Sequence, residues 1–76
     1  MYKYYILYWE EEFEENRVAE GFVKAESYAE VLNEVIKYYC GHNEENAIEI
    51  RINGDYERDL NVFQYINREA KPGERK

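Results

Sequence analysis

Cys40 and His42 lie two positions apart, and they are the side chains of this sequence best suited to nucleophilic chemistry. A cysteine nucleophile needs a histidine that faces it and takes up the thiol proton. Both residues fall in one glycine-containing turn, which does not favour that arrangement. One thiolate and one imidazole also fall short of the four ligands that structural zinc takes. We therefore interpret the pair as incidental, neither a catalytic site nor a metal site.

The 17 Asp and Glu side chains are numerous but are not arranged for acid–base catalysis. A catalytic pair needs two environments that push the two pKa values apart, usually through burial, whereas these glutamates cluster in hydrophilic runs. The D-x-D-x-D-G spacing of a calcium-binding loop is missing. The four glycines are too scattered to form a phosphate-binding loop. We expect a protein that is not an enzyme and that has no cofactor or metal.

The densest chemical feature is the segment WEEEFEE, with five glutamates within six positions. The predicted partner-binding residues are Trp9, Glu10, Glu11, Glu12, Phe13, Glu14 and Glu15. On a strand, Glu10 and Glu12 would share one face, and Trp9, Glu11 and Phe13 would share the other. Closely spaced carboxylates can bind the arginines of a partner by charge-assisted hydrogen bonds and can steer its approach. The alternative interpretation is a solvated hairpin end whose charges discourage edge-to-edge aggregation.

The net charge of −7 is unevenly distributed along the chain. Residues 1–66 carry 15 acidic against 6 basic side chains, whereas residues 67–76 carry 4 basic against 2 acidic side chains. Affinity for nucleic acid depends on Lys and Arg side chains that neutralise phosphates. The charge therefore disfavours direct binding of DNA or RNA and favours a basic protein surface as the partner.

Seventy-six residues are enough for one small domain, predicted at residues 1–66 and followed by a loosely ordered tail at 67–76. No apolar run reaches the roughly 20 residues that span a bilayer, so no membrane association is expected. The start of the sequence lacks the pattern of a secretion signal. A lone cysteine cannot close an intramolecular disulfide and fits a reducing compartment. We expect a cytoplasmic protein.

Residues 2–13 are predicted to form a long first strand because aromatic and branched side chains dominate them. Both of its faces are apolar: Tyr4, Ile6 and Tyr8 alternate with Tyr5, Leu7 and Trp9. Such a strand needs cover on both sides, and the tail, the last segment or a partner protein could cover the second face. A second strand is predicted over residues 17–25, where Gly21 indicates a bulge or a close approach of the backbone.

The clearest pattern predicts a helix over residues 28–40. Ser27 is its expected N-cap, and Glu30 completes a capping box. Gly41 follows the last periodic residue and is the expected C-cap. One apolar stripe runs along the helix at helical spacing: Tyr28, Val31, Leu32, Val35, Ile36 and Tyr39.

Residues 47–53 alternate strictly and predict a third strand with three inward isoleucines, Ile48, Ile50 and Ile52. The dipeptide Asn53-Gly54 predicts the turn of a hairpin. Residues 59–66 fit either a fourth strand or a short helix, and their Val, Phe, Tyr and Ile content favours the strand. The sequence thus predicts an α+β fold of order β-β-α-β-β, in which one helix packs on one face of an antiparallel sheet of three to four strands.

The tyrosine-rich first strand, the acidic hairpin, and the segments GFVKAESYAEVLNEVIKYY and IEIRI resemble the small acidic proteins that phages use against host defences. Anti-CRISPR proteins are the best-known members, and several resemble DNA in their charge display. The resemblance covers roughly residues 1–66 and concerns style and element order. It implies a phage-encoded, stoichiometric inhibitor in the host cytoplasm. Such an inhibitor occupies a basic, nucleic-acid-binding surface of a defence effector such as a CRISPR nuclease.

A weaker resemblance is to the N-terminal domain of HicB-type antitoxins, which also runs strand, strand, helix, strand. It concerns the glycine and the Ser-capped helix of residues 21–35, although the proline-containing segment usual before that helix is missing. It implies a self-associating antitoxin-like or structural module of a bacterial operon. In that alternative, Tyr5, Leu7 and Trp9 form a homodimer interface.

Overall fold

The computed structural model describes residues 1–41, 43–54 and 62–67. The chain runs through β1 (Tyr2–Glu10), β2 (Glu15–Val23), α1 (Tyr28–Cys40), a 3₁₀ turn (Glu44–Asn46), β3 (Ala47–Gly54) and β4 (Val62–Ile66). The four strands form one antiparallel sheet in the order β2-β1-β3-β4. The predicted α+β fold and its β-β-α-β-β order are confirmed. Among the described residues, no helix has the length and apolar character needed to cross a membrane.

The core lies between α1 and one face of the sheet. Its fully buried large side chains are Ile6, Ile50, Ile52 and Val31. The strand register brings the first three together, because Ile6 pairs with Ile50 while Ile52 pairs with Tyr4 beside it. Full burial of each such side chain stabilises the fold by about 1.5–3 kcal/mol. The aliphatic centre therefore comes from the alternation of the two central strands, β1 and β3.

Both ends of α1 follow the capping chemistry expected from the sequence. The Ser27 hydroxyl oxygen accepts a hydrogen bond from the Glu30 backbone N–H at 3.2 Å. The Glu30 carboxylate accepts one from the Glu26 backbone N–H at 2.6 Å, one residue before the N-cap. Gly41 adopts a φ of 64° and donates its N–H to the Lys37 carbonyl at 3.1 Å. The predicted helix 28–40 is confirmed.

Gly21 allows the Tyr4 side chain to approach the backbone closely, which is one of the two roles predicted for this glycine. It pairs regularly with Tyr4, so the strand has no bulge at this point. A Cβ at residue 21 would lie 2.7 Å from the Tyr4 hydroxyl oxygen, well inside van der Waals contact. The same hydroxyl is hydrogen-bonded to the Tyr39 hydroxyl of α1 at 2.8 Å. The missing side chain of Gly21 leaves room for a ring that ties β1 to the helix.

The first hairpin differs from the prediction in its boundaries. Strand β1 ends at Glu10 rather than at residue 13, and β2 begins at Glu15 rather than at residue 17. Glu10 pairs with Glu15, and residues 11–14 form a four-residue turn between them. Glu14 takes a left-handed conformation with φ 53°, as residues of tight hairpin loops do. The sequence did not indicate the position of this turn, because the run of glutamates contains no glycine or asparagine.

The third strand also departs from the simple alternation. The β1–β3 register shifts between Leu7 and Tyr8, so Tyr8 pairs with Ala47. Ala47 is fully buried, whereas Ile48, which the alternation places inward, is only partly buried. A one-residue shift exchanges the side chains that face the core, and the sequence pattern carried no sign of it.

The second hairpin turn was predicted at the wrong residues. Asn53 and Gly54 lie within β3, where they pair with Lys3 and Tyr2. The predicted fourth strand is confirmed over Val62–Ile66, antiparallel to β3. Residues 59–61, which began the predicted strand, lie outside the described residues, as do residues 68–76 of the predicted tail.

Candidate functional site

The acidic segment forms the tip of the β1–β2 hairpin. Trp9 and Glu10 end β1, residues 11–14 form the turn, and Glu15 starts β2. The Glu12 backbone N–H donates to the Glu10 carboxylate at 3.2 Å, which stabilises the turn. The predicted arrangement on two strand faces is wrong, because the turn begins directly after Glu10. The carboxylates therefore surround a loop instead of lining one side of a strand.

The two aromatic residues of the segment have different surroundings. Trp9 pairs with Asn16 inside the sheet and is partly buried. Phe13 lies in the turn with 58% of its surface exposed. The Arg17 guanidinium lies 4.6 Å from the Phe13 ring centroid and forms a 2.7 Å ion pair with Glu15. Phe13 is thus the accessible aromatic side chain at the tip.

A second acidic loop adjoins the hairpin tip. The Asn43 side-chain amide donates to the Glu11 carboxylate at 3.2 Å, and the 3₁₀ turn that follows carries Glu44 and Glu45. Asn46 is buried at the end of this turn and donates its backbone N–H to the Asn43 carbonyl at 2.9 Å. The sequence indicated these two glutamates only as part of a general acidic bias, because Glu11 and Asn43 are 32 positions apart in the chain and nothing local shows that they are close.

We call the combined surface the acidic end, and its carboxylates are Glu10, Glu11, Glu12, Glu14, Glu15, Glu44 and Glu45. Burial, followed by the charge of Glu10, raises the pKa of Cys40 to about 11. Burial, followed by the charge of Glu44, raises the pKa of Tyr65. The C-terminus of α1 adds a partial negative charge to the same region. Side chains and backbone thus create one negative potential.

Cys40 is a component of the hydrophobic core. Its side chain is buried, and its raised pKa keeps the thiol protonated at neutral pH. The thiolate is the reactive form of cysteine, so Cys40 is a poor nucleophile in the folded protein. His42 lies outside the described residues. Within the part of the chain that the structure describes, no three His, Cys, Asp or Glu side chains are grouped to hold a metal ion.

The sheet has a second face, which we call the open face. By register, it carries Lys3, Tyr5, Leu7, Trp9, Asn16, Val18, Glu20, Phe22, Glu49, Arg51, Asn53, Gln64 and Ile66. No helix of the described residues packs on it. The Arg51 guanidinium lies 4.3 Å from the Tyr5 ring centroid and 3.1 Å from the Glu49 carboxylate. Gln64 donates to the same carboxylate at 2.9 Å. These polar contacts cross an otherwise largely apolar surface.

No protein-family model matches the chain, and no curated protein or solved structure matches it either. The fold defines the class as a four-stranded antiparallel sheet with one helix on one face. That architecture is compatible with many functions, so a functional argument has to start from the two surfaces described above.

Proposed function

We propose that this protein is a small acidic inhibitor or modulator that binds a basic protein surface through its acidic end. The observation that carries the proposal is that seven carboxylates, from the hairpin tip and the adjoining 3₁₀ turn, lie beside an exposed phenylalanine. Electrostatic complementarity between such a surface and a basic partner increases the association rate and the specificity of binding. The proposal is one of stoichiometric binding in the cytoplasm, without catalytic turnover.

The charge density of the tip suits a partner that ordinarily binds nucleic acid. Five glutamates occupy the six positions from Glu10 to Glu15. Because Glu10 pairs with Glu15 across the hairpin, these carboxylates are gathered around one four-residue turn. Nucleic acid likewise presents closely spaced negative charges, with one charge per roughly 3.4 Å of helix axis on each strand of B-DNA. A groove lined with Lys and Arg that accepts a phosphate backbone can therefore accept this tip by the same electrostatic attraction.

Phe13 supplies an apolar contact at the centre of this charge. Buried aromatic anchors carry much of the energy of protein interfaces, whereas peripheral charges mainly set the association rate. Because Arg17 contacts both the Phe13 ring and Glu15, it positions the ring beside the carboxylates. A partner with an apolar pocket inside a basic groove would accommodate both features.

The narrower proposal is an anti-CRISPR function, in which the partner is an effector nuclease and the inhibitor blocks its guide or target channel. It rests on the stylistic resemblance to phage anti-defence proteins together with the charge density of the tip. The alternative of a merely solvated, aggregation-resistant hairpin end predicts no partner and is separated from it by the experiment below.

The test uses purified CRISPR effector nucleases and measures the binding of labelled target DNA with and without the protein. The variant Glu12→Lys/Glu14→Lys changes two turn side chains for which the structure describes no hydrogen bond or ion pair. The control variant Glu26→Lys/Glu34→Lys has the same net charge but alters exposed positions away from the acidic end. We expect the wild type and the control to displace DNA from at least one effector. The tip variant should be at least tenfold weaker, because steering contributes about 10–10³ to association rates.

Raising the salt concentration should weaken the inhibition, because the screening length falls from about 8 Å at physiological ionic strength to about 3 Å at 1 M. Equal potency of the tip variant and the control would remove the acidic end as the binding surface. Absence of displacement across the nuclease panel would remove the anti-CRISPR proposal.

A further inference from the structure

The open face has a different charge balance from the rest of the molecule. The described residues include 12 acidic and 5 basic side chains. The open face carries two of each kind, Lys3 and Arg51 against Glu20 and Glu49. Its charges therefore cancel on a protein whose net charge is −7. Two copies of an acidic chain repel each other over most of their surfaces, and this face is where they can meet without that repulsion.

Apolar side chains occupy most of the remaining positions of this face. Val18 and Ile66 are 57% and 56% exposed, although neither lies in a loop. Between them in the sheet, Tyr5, Leu7 and Trp9 are only partly buried. Contiguous apolar side chains on a regular sheet are typical of a surface that packs against another sheet.

We propose that the open face is a homodimer interface in which the sheets of two copies pack face to face. The occupant of this face is a second copy of the chain because its charge pattern is self-complementary. The proposal concerns a surface separate from the acidic end and does not depend on the function proposed above.

The strand register defines the symmetry of this dimer. Tyr5 pairs with Glu20 on β2 and with Arg51 on β3, so these two charges lie at one level on either side of β1. A twofold axis that runs along β1, within the interface, brings β2 of one copy opposite β3 of the other. Glu20 of each copy then faces Arg51 of the other copy. The dimer gains two equivalent ion pairs, one on each side of its central tyrosines.

The surroundings of Arg51 are suited to this contact. Its guanidinium is held over the Tyr5 ring and by Glu49, and its side chain remains 49% exposed. A shallow groove of about 220 Å³ lies between Tyr5, Glu20, Arg51 and Asn53, with room for an incoming side chain. Lys3 is exposed at the end of the face, where its ammonium can extend into water.

The size of the face is typical of a weak, reversible interface. Four strands about 4.8 Å apart and six residues of about 3.4 Å rise give a face of roughly 19 by 20 Å. With side-chain relief, two such faces bury on the order of 1,000 Å² in total, at the low end for specific interfaces. We therefore expect a dimer with a dissociation constant in the micromolar range.

Analytical ultracentrifugation from about 1 to 500 μM, a range chosen to bracket micromolar affinity, tests the proposal. We expect the wild type to change from monomer to dimer within this range. The single variants Glu20→Arg and Arg51→Glu place like charges opposite each other and should dimerise at least tenfold more weakly. An equimolar mixture of the two variants should dimerise again, because the chain with two arginines then faces the chain with two glutamates.

Two further variants separate interface effects from effects on folding or net charge. Glu34→Arg makes the same charge change as Glu20→Arg on the exposed side of α1, and should dimerise like the wild type. Val18→Lys changes an exposed edge-strand residue and should weaken the dimer without unfolding the monomer, as checked by circular dichroism. A wild type that stays monomeric, as it would if another part of the chain covered the face, overturns the proposal. A mixture of the two charge variants that stays monomeric overturns it as well.

Discussion

The contact between Gly21 and Tyr4 makes a stability prediction whose size follows from the geometry. The substitution Gly21→Ala adds a Cβ 2.7 Å from the Tyr4 hydroxyl oxygen and 2.9 Å from the adjoining ring carbon. Ordinary contact begins near 3.4 Å, so the ring has to move by several tenths of an ångström. The same hydroxyl forms the 2.8 Å hydrogen bond with the Tyr39 hydroxyl. The movement of the ring distorts or breaks this bond.

Three contributions determine the expected change in the free energy of unfolding. Loss of the hydrogen bond costs about 1 kcal/mol, and local overpacking costs about 1–3 kcal/mol. Replacement of a strand glycine by alanine stabilises the protein by about 0.5–1 kcal/mol, because alanine loses less backbone entropy on folding. We expect Gly21→Ala to destabilise the protein by about 1–3.5 kcal/mol. For a domain of this size, each kcal/mol lowers the melting temperature by roughly 4–8 °C.

Urea unfolding followed by Trp9 fluorescence measures this change. The matched control is Gly21→Ala in a Tyr4→Leu background, where the ring that causes the clash is absent. There the substitution should be neutral or slightly stabilising, and the difference between the two backgrounds is the coupling free energy. Burial is the main reason that the pKa of Tyr39 is raised to about 12, and the hydrogen bond with Tyr4 is the second. Gly21→Ala should therefore also lower the pKa of Tyr39. Equal effects of Gly21→Ala in the two backgrounds would refute the reasoning.

Three further predictions concern the helix cap, the hairpin turn and alkaline stability. Ser27→Ala removes the acceptor for the Glu30 N–H and should cost about 1 kcal/mol by urea unfolding, whereas Ser27→Asp should retain most of the stability. Glu14→Gly relieves the positive φ of residue 14 and should raise the free energy of unfolding, measured by calorimetry, by about 0.5–1 kcal/mol. The same change removes one carboxylate of the acidic end, so it should weaken the displacement of DNA. Stability should fall from about pH 9 upward, because the unfolded chain loses the Cys40 proton near 9.0 whereas the folded pKa is about 11. In the variant Cys40→Ala, the free energy of unfolding should fall less steeply between pH 9 and 11. An equally steep fall would show that other groups cause the alkaline loss of stability.

Local periodicity was sufficient to predict most of the secondary structure. The 3.6-residue spacing of the apolar stripe and the polar caps at its ends predicted α1 at its observed limits, Tyr28–Cys40. Period-two alternation predicted which residues of β1 share a face, and β-propensity favoured a strand within residues 59–66, where β4 is observed at Val62–Ile66. These features depend on residues close together in the chain, and such local preferences are present before any tertiary contact forms.

The candidate site was predicted only in part. The glutamates of the hairpin were identified by their density, but their placement on strand faces was wrong because the turn starts after Glu10. The contribution of Glu44 and Glu45 could not be predicted, because their position depends on the long-range contact between Asn43 and Glu11. The open face was foreseen as an apolar side of β1, but its charge balance required the register with β2 and β3.

The sequence by itself determined the α+β class, the order of the elements, the limits of α1 and the acidity of the first hairpin. Those properties follow from composition, capping and periodicity, each encoded within a few neighbouring residues. Only the tertiary structure decided where β1 ends, why Ala47 is more deeply buried than Ile48, and which acidic loops form one surface. Those properties depend on strand register and on contacts between distant segments, and the free energy of a distant contact is realised only when the sheet and the helix have packed together.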